Sequence, residues 1–128
     1  MNERFKFRAW YKPLKIILSD FEFHNTYTTL GTIAKDNNYI LMQCTGLKDK
    51  NEKLIYEGDI VKLTKNDNPY MNNIIGIVRY TQKEAIFYID IFKSSAWYEF
   101  NEVEKKGLTI IGNIYENKEL LEEQNNGK

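Results

Sequence analysis

The sole histidine, His24, stands close to Asp20 and Glu22. An imidazole beside carboxylates can act as a general base or as a metal ligand. With one His and one Cys in the chain and no ligand-spaced partners, these residues read instead as a polar loop. Cys44 would need a partnering base to serve as a nucleophile, and no residue nominates itself. It sits in an apolar run and reads as a small buried hydrophobe. Glu57 and Asp59 flank Gly58 and could form a carboxylate pair for metal or acid–base work. That spacing wraps them around a turn, where bonding to backbone N–H groups is a sufficient role. No phosphate-loop or dinucleotide glycine pattern occurs, so no cofactor is expected. The residues thus give no catalytic set, and the expectation is a protein that is not an enzyme.

A different chemistry is available on the first strand. Arg4, Lys6, Arg8 and Trp10 alternate on one face, with Lys12 and Lys15 beyond. Cations grip phosphates and an exposed indole stacks on an unpaired base, so this face is a candidate partner or nucleic-acid surface. The competing reading is a solvated strand face whose charges guard an edge against aggregation. The charge balance of the whole chain, 18 basic against 18 acidic residues, favours the second reading.

The elements that must carry these residues follow from pattern. A 128-residue chain that is 42% hydrophobic and 14% aromatic can hold one core without staples. The single cysteine excludes an intramolecular disulfide. The N-terminus lacks an apolar run and no stretch approaches a membrane span, so a reduced, cytoplasmic setting away from membranes is expected. Residues 4–11 alternate with period two, the signal of a half-buried strand closed by Lys12-Pro13. Ile16-Ile17-Leu18 and Phe21-Glu22-Phe23 extend the strand reading. Residues 39–45 read as a buried strand ended by Gly46, and residues 48–53 as the turn of a hairpin returning through Leu54-Ile55-Tyr56. Gly58-Asp59 supplies a bend before Ile60, Val61 and Leu63. Residues 74–80, 86–92, 97–100 and 108–115 are further strands, and the loop 65–69 is expected to be exposed. Gly112-Asn113 reads as a bulge or bend within a strand. Asn117 is an N-cap for a short helix.

The pattern predicts a mainly β (β-rich α+β) fold: a small, strongly bent β-barrel over 57–115, N-terminal strands and a hairpin over 1–56, a short helix over 116–124 and a frayed tail at 125–128. One domain spans 1–128.

Three segments carry a resemblance. They are Lys6-Phe7-Arg8-Ala9-Trp10, then residues 41–51 through Tyr56-Glu57-Gly58-Asp59-Ile60-Val61, and Ile111-Gly112-Asn113-Ile114-Tyr115-Glu116-Asn117 followed by Glu119-Leu120-Leu121. In this order they resemble the YopX family, small proteins carried by phages and prophages of mainly Gram-positive hosts. The resemblance implies a shared β-rich fold and a phage origin. It implies structural roles for Gly46, Asp49, Gly58, Asp59, Gly112 and Asn113, and it supplies no active site. Two departures stand out. Asn51 is followed by Glu52 where the family has Asn-Gly, so Asn51 is expected to take the left-handed position. Lys118 replaces a proline at the start of the helix.

The functional expectation is a phage accessory protein that binds a host or phage macromolecule through an aromatic-rich β surface. The alternative is a nucleic-acid binder using Arg4, Lys6, Arg8 and Trp10. An enzyme is the weakest reading. Self-association is a further expectation, because aromatic and strand-edge surface is often buried between copies.

Overall fold

The structure, a computed structural model, describes residues 6–19, 33, 35–63, 74–103 and 107–126. The expectations placed on Arg4, His24, the strand at 21–23 and the loop at 65–69 lie outside the described residues.

Among the described residues, nine strands and a C-terminal helix frame the fold. They are β1 (Phe7–Tyr11), β2 (Ile16–Leu18), β3 (Tyr39–Lys48), β4 (Leu54–Tyr56), β5 (Asp59–Leu63), β6 (Ile74–Thr81), β7 (Ile86–Ile91), β8 (Trp97–Glu99), β9 (Leu108–Asn113) and α1 (Lys118–Asn126). A four-stranded sheet has the order β2-β1-β3-β4, and a five-stranded sheet has the order β8-β7-β6-β5-β9. Every pairing is antiparallel. The second sheet coils into a half-barrel, so the fold is mainly β as its sequence pattern predicts.

Period-two alternation decides which side chains meet. In the half-barrel, Val61, Leu63, Val78, Ile89, Ile91 and Leu108 form the buried core, joined by Ile55 from β4. Fully burying one such aliphatic side chain contributes about 1.5–3 kcal/mol. In the four-stranded sheet, Ala9 lies opposite Leu41 and packs with Ile33, Leu18 and Tyr39. The other face of β1 and β3 carries Arg8, Trp10, Ile40 and Met42. It faces the half-barrel: Met42 Sδ lies 3.2 Å from where a Cβ at Gly58 would stand.

The hairpin differs from its sequence reading in two ways. Gly46 does not end β3; with φ +85° it carries the chain through a bulge, and the strand runs on to Lys48. Thr45 Oγ1 stabilises this detour by donating to the Ile55 carbonyl at 2.9 Å and accepting the Leu47 N–H at 3.1 Å. Glu52, rather than Asn51, takes the left-handed conformation, at φ +65°. A non-glycine residue there costs about 1–2 kcal/mol. Asp49 offsets it, because one carboxylate oxygen accepts the N–H groups of Asn51 (2.9 Å) and Lys53 (3.0 Å) on either side.

Gly76 sets the closest strand approach. A Cβ there would overlap the Cγ2 of Ile89, which is fully buried. Gly76→Ala is therefore expected to cost about 1–3 kcal/mol by overpacking. A chemical denaturation midpoint equal to that of the parent chain would show that this approach is not made.

Candidate functional site

The two sheets meet around Asp59, the first residue of β5. Its carboxylate is buried and accepts from Arg8 Nη2 at 2.6 Å and from the Tyr56 N–H at 2.8 Å. The second bond closes the tight bend at Glu57-Gly58. Gly58 makes that bend at φ +89°, and its own N–H and carbonyl bond Val78 and Ile114 at 2.8 and 2.9 Å. Arg8 comes from β1 and also lies over the Tyr56 ring, 4.6 Å from its centroid. Its Nε is buried and finds no hydrogen-bond partner among the described residues. Burial pushes the Asp59 carboxyl above its ordinary range, and Arg8 and the Tyr56 N–H act against that rise.

These contacts correct the geometry expected of the first strand. Arg8 and Trp10 do not point outward. The Arg8 side chain is 14% exposed and committed to Asp59. Trp10 is half-buried and stacks on Tyr115 with ring centroids 5.7 Å apart and planes inclined at 22°. The physical reason is that β1 is an inner strand covered by the half-barrel, so the polar positions of its alternation point at a partner element.

The other carboxylates bond the backbone. Glu57 Oε1 accepts the Gln43 N–H at 3.3 Å. Asp49, fully buried, accepts the N–H groups of Asn51, Lys53 and, across to β9, Ile110. Burial acts to raise its carboxyl, and these three bonds outweigh burial and hold it below the ordinary range. Asn113 Oδ1 accepts the N–H groups of Tyr115 and Glu116, while its amide donates to Glu116 Oε1. The Asn113 N–H in turn reaches Asn117 Oδ1 at 3.0 Å, over Gly112, where a Cβ would meet the same side chain. A register shift at Ile111 forms the bulge that begins this turn. Together these bonds place Tyr115 on Trp10. Cys44 is buried. Among the described residues no cluster of three or more His, Cys, Asp or Glu side chains could hold a metal ion. Among them no helix is long and apolar enough to cross a membrane.

Beside the Trp10–Tyr115 pair opens a cleft of about 620 Å³, lined by Trp10, Lys12, Lys15, Tyr115, Glu116 and Lys118. All three lysines are exposed. Lys12 and Lys15 come from the β1–β2 turn, pinned by the bond from the Lys12 N–H to the Asn38 carbonyl at 2.8 Å. Lys15 is held at φ +54°, a conformation a lysine seldom adopts. Lys118 opens α1. Burial pushes the Tyr115 phenol above its ordinary value and nearby Glu57 adds to the rise, so the ring stays uncharged. Trp10, Lys12 and Lys15 carry a signal in the sequence. Tyr115 and Lys118 do not, because only the Asn113 turn brings them to β1. A second recess, of about 290 Å³, lies beside the edge strand β8, where Trp97 is 51% exposed and packs edge-on against Tyr88.

A family model described as YopX protein matches residues 6–122. The chain belongs to the YopX family. A curated relative, the SPbeta prophage-derived uncharacterized protein YopX of Bacillus subtilis (strain 168), is 34% identical over 73 residues. That match covers 55% of this chain and spans about half, 52%, of the relative's length. Among solved structures, protein EF1440 from Enterococcus faecalis is similar with a TM-score of 0.61 and 27% identity, covering 91% of this chain and 96% of that one. The crystal structure of protein yopX from Bacillus subtilis shares the fold, with a TM-score of 0.57 and 20% identity over 94% of this chain and 99% of the other. The shared YopX fold thus extends over both sheets and over the junction that holds Arg8, Asp59 and Tyr115.

Proposed function

We propose that this chain is a phage accessory protein that acts as a non-enzymatic macromolecular interaction module, with its contact surface at the Trp10–Tyr115 cleft. The observation that carries this reading is the cleft itself, in which three exposed lysines flank a stacked aromatic pair held between the two sheets. The buried carboxylates support it as well, since Asp49 and Asp59 bond backbone N–H groups and Arg8, which are folding roles. The prophage origin of the Bacillus relative supports a phage setting. A cleft with aromatic walls and a cationic rim suits binding, because rigid rings give contact area at low entropic cost and lysines steer an anionic partner.

Site-specific photocrosslinking tests the reading. A crosslinking residue at Lys15 should yield discrete adducts in host lysate, competed by excess unlabelled protein. The same residue at Lys83, exposed on the β6–β7 turn and outside the lining of the cleft, should yield none. Adducts from Lys83 alone, or from neither position, would overturn the reading.

A further inference from the structure

We infer that the cleft takes single-stranded nucleic acid, with backbone phosphates on Lys12, Lys15 and Lys118 and an unpaired base against the Trp10–Tyr115 pair. The inference rests on the preceding reading of the cleft as the contact surface and names its ligand class. Two independent features point the same way. The first is charge: among the described residues the charged groups lining the cleft are three lysines and Glu116, so they make the local field positive in a chain whose formal net charge is zero. Generic attraction of polyanions to the whole surface is thereby removed as an explanation. Glu116 is already engaged, accepting from Asn113. Glu119 and Glu122 of α1 are exposed but do not line the cleft.

The second feature is the aromatic wall. Trp10 and Tyr115 are stacked at 22°, are buried only in part and both line the cleft, so the pair gives the cleft an aromatic wall. Any base offers a π-face to such a platform, and stacking of this kind tolerates sequence. A cleft of about 620 Å³ admits a base with its sugar and adjoining phosphate, whereas a paired base keeps its faces inside the duplex. An acidic peptide would satisfy the lysines and leave the rings without a stacking partner.

The test titrates labelled oligothymidylate of about 12 nucleotides against the full chain and against a Lys12→Ala, Lys15→Ala, Lys118→Ala triple variant. Single strands give a salt slope of about −0.7 per phosphate neutralised, so three lysines predict a slope near −2 and roughly 15-fold weakening between about 50 and 200 mM salt. The triple variant should bind at least about tenfold more weakly with an almost flat salt response. In a Trp97→Phe background, Trp10 fluorescence should be quenched by the oligonucleotide and not by inorganic polyphosphate. Absence of binding at low salt, equal binding of a duplex, unaltered binding by the triple variant, or binding without quenching of Trp10 would each overturn the inference. Polyglutamate binding that depends on the same lysines, with no oligonucleotide binding, would overturn it while leaving the cleft as an interaction surface. Circular dichroism of the triple variant checks that it folds, as expected for changes at exposed lysines.

Discussion

Arg8→Met is expected to lower stability by about 3–5 kcal/mol at neutral pH, because it leaves the Asp59 carboxylate buried without its counter-charge. The cost should be strongly pH-dependent, and its sign follows from burial. A carboxyl whose folded pKa is raised contributes stability below its unfolded value of about 3.9 and loses that contribution as pH rises through the folded pKa. Burial already acts upward on Asp59, and removing Arg8 takes away the main opposing influence. The destabilisation should therefore be small in mild acid and grow towards pH 8. Adding Asp59→Asn should recover more than half of the loss at neutral pH, since an amide oxygen can still accept the Tyr56 N–H while carrying no charge. Urea melts at pH 5 and pH 8 decide the matter. A loss independent of pH, or a double variant no better than Arg8→Met, would mean that the pair is not electrostatically coupled.

Asp49 should be nearly as costly to lose. Asp49→Ala leaves the N–H groups of Asn51, Lys53 and Ile110 without their acceptor in a fully buried position, for about 3–4 kcal/mol. Its pH dependence runs opposite to that of Arg8→Met. The folded carboxyl lies below its ordinary value, so its contribution is present above about pH 4 and fades as pH falls through the depressed folded pKa. The stability gap between the parent chain and Asp49→Asn should accordingly narrow between about pH 5 and pH 2. A gap that stayed constant over this range would show that the carboxylate charge is not what holds the hairpin to β9.

The strands were legible in the sequence because each alternates or clusters β-branched and aromatic residues. Residues 74–80 and 86–92 became β6 and β7 with little adjustment. The hairpin at Asn51-Glu52 was less legible. Local turn preference opposes Glu52 at positive φ, yet a carboxylate at Asp49 and its link to Ile110 on β9 prevail. The strand carrying Arg8 failed for a related reason. Alternation tells which residues share a face and does not tell whether water or another sheet covers it. The cleft was half visible: Trp10, Lys12 and Lys15 announce themselves as basic and aromatic neighbours. Tyr115 and Lys118 reach them only through a bulge, an Asn-centred turn and a helix start, each of which reads as punctuation when met alone.

The stacking of Trp10 on Tyr115 has a kinetic side. Most of the domain lies between the two residues, so their contact closes a very long loop and forms only when both sheets are in place. A ligand held there acts as a clasp on the chain: it adds nothing to either sheet alone and favours the state in which both are docked. Limited proteolysis within β1 would then abolish binding even with β9 and α1 intact. Occupancy of the cleft should correspondingly slow such cleavage, making the protein's lifetime in the cell depend on whether its partner is present.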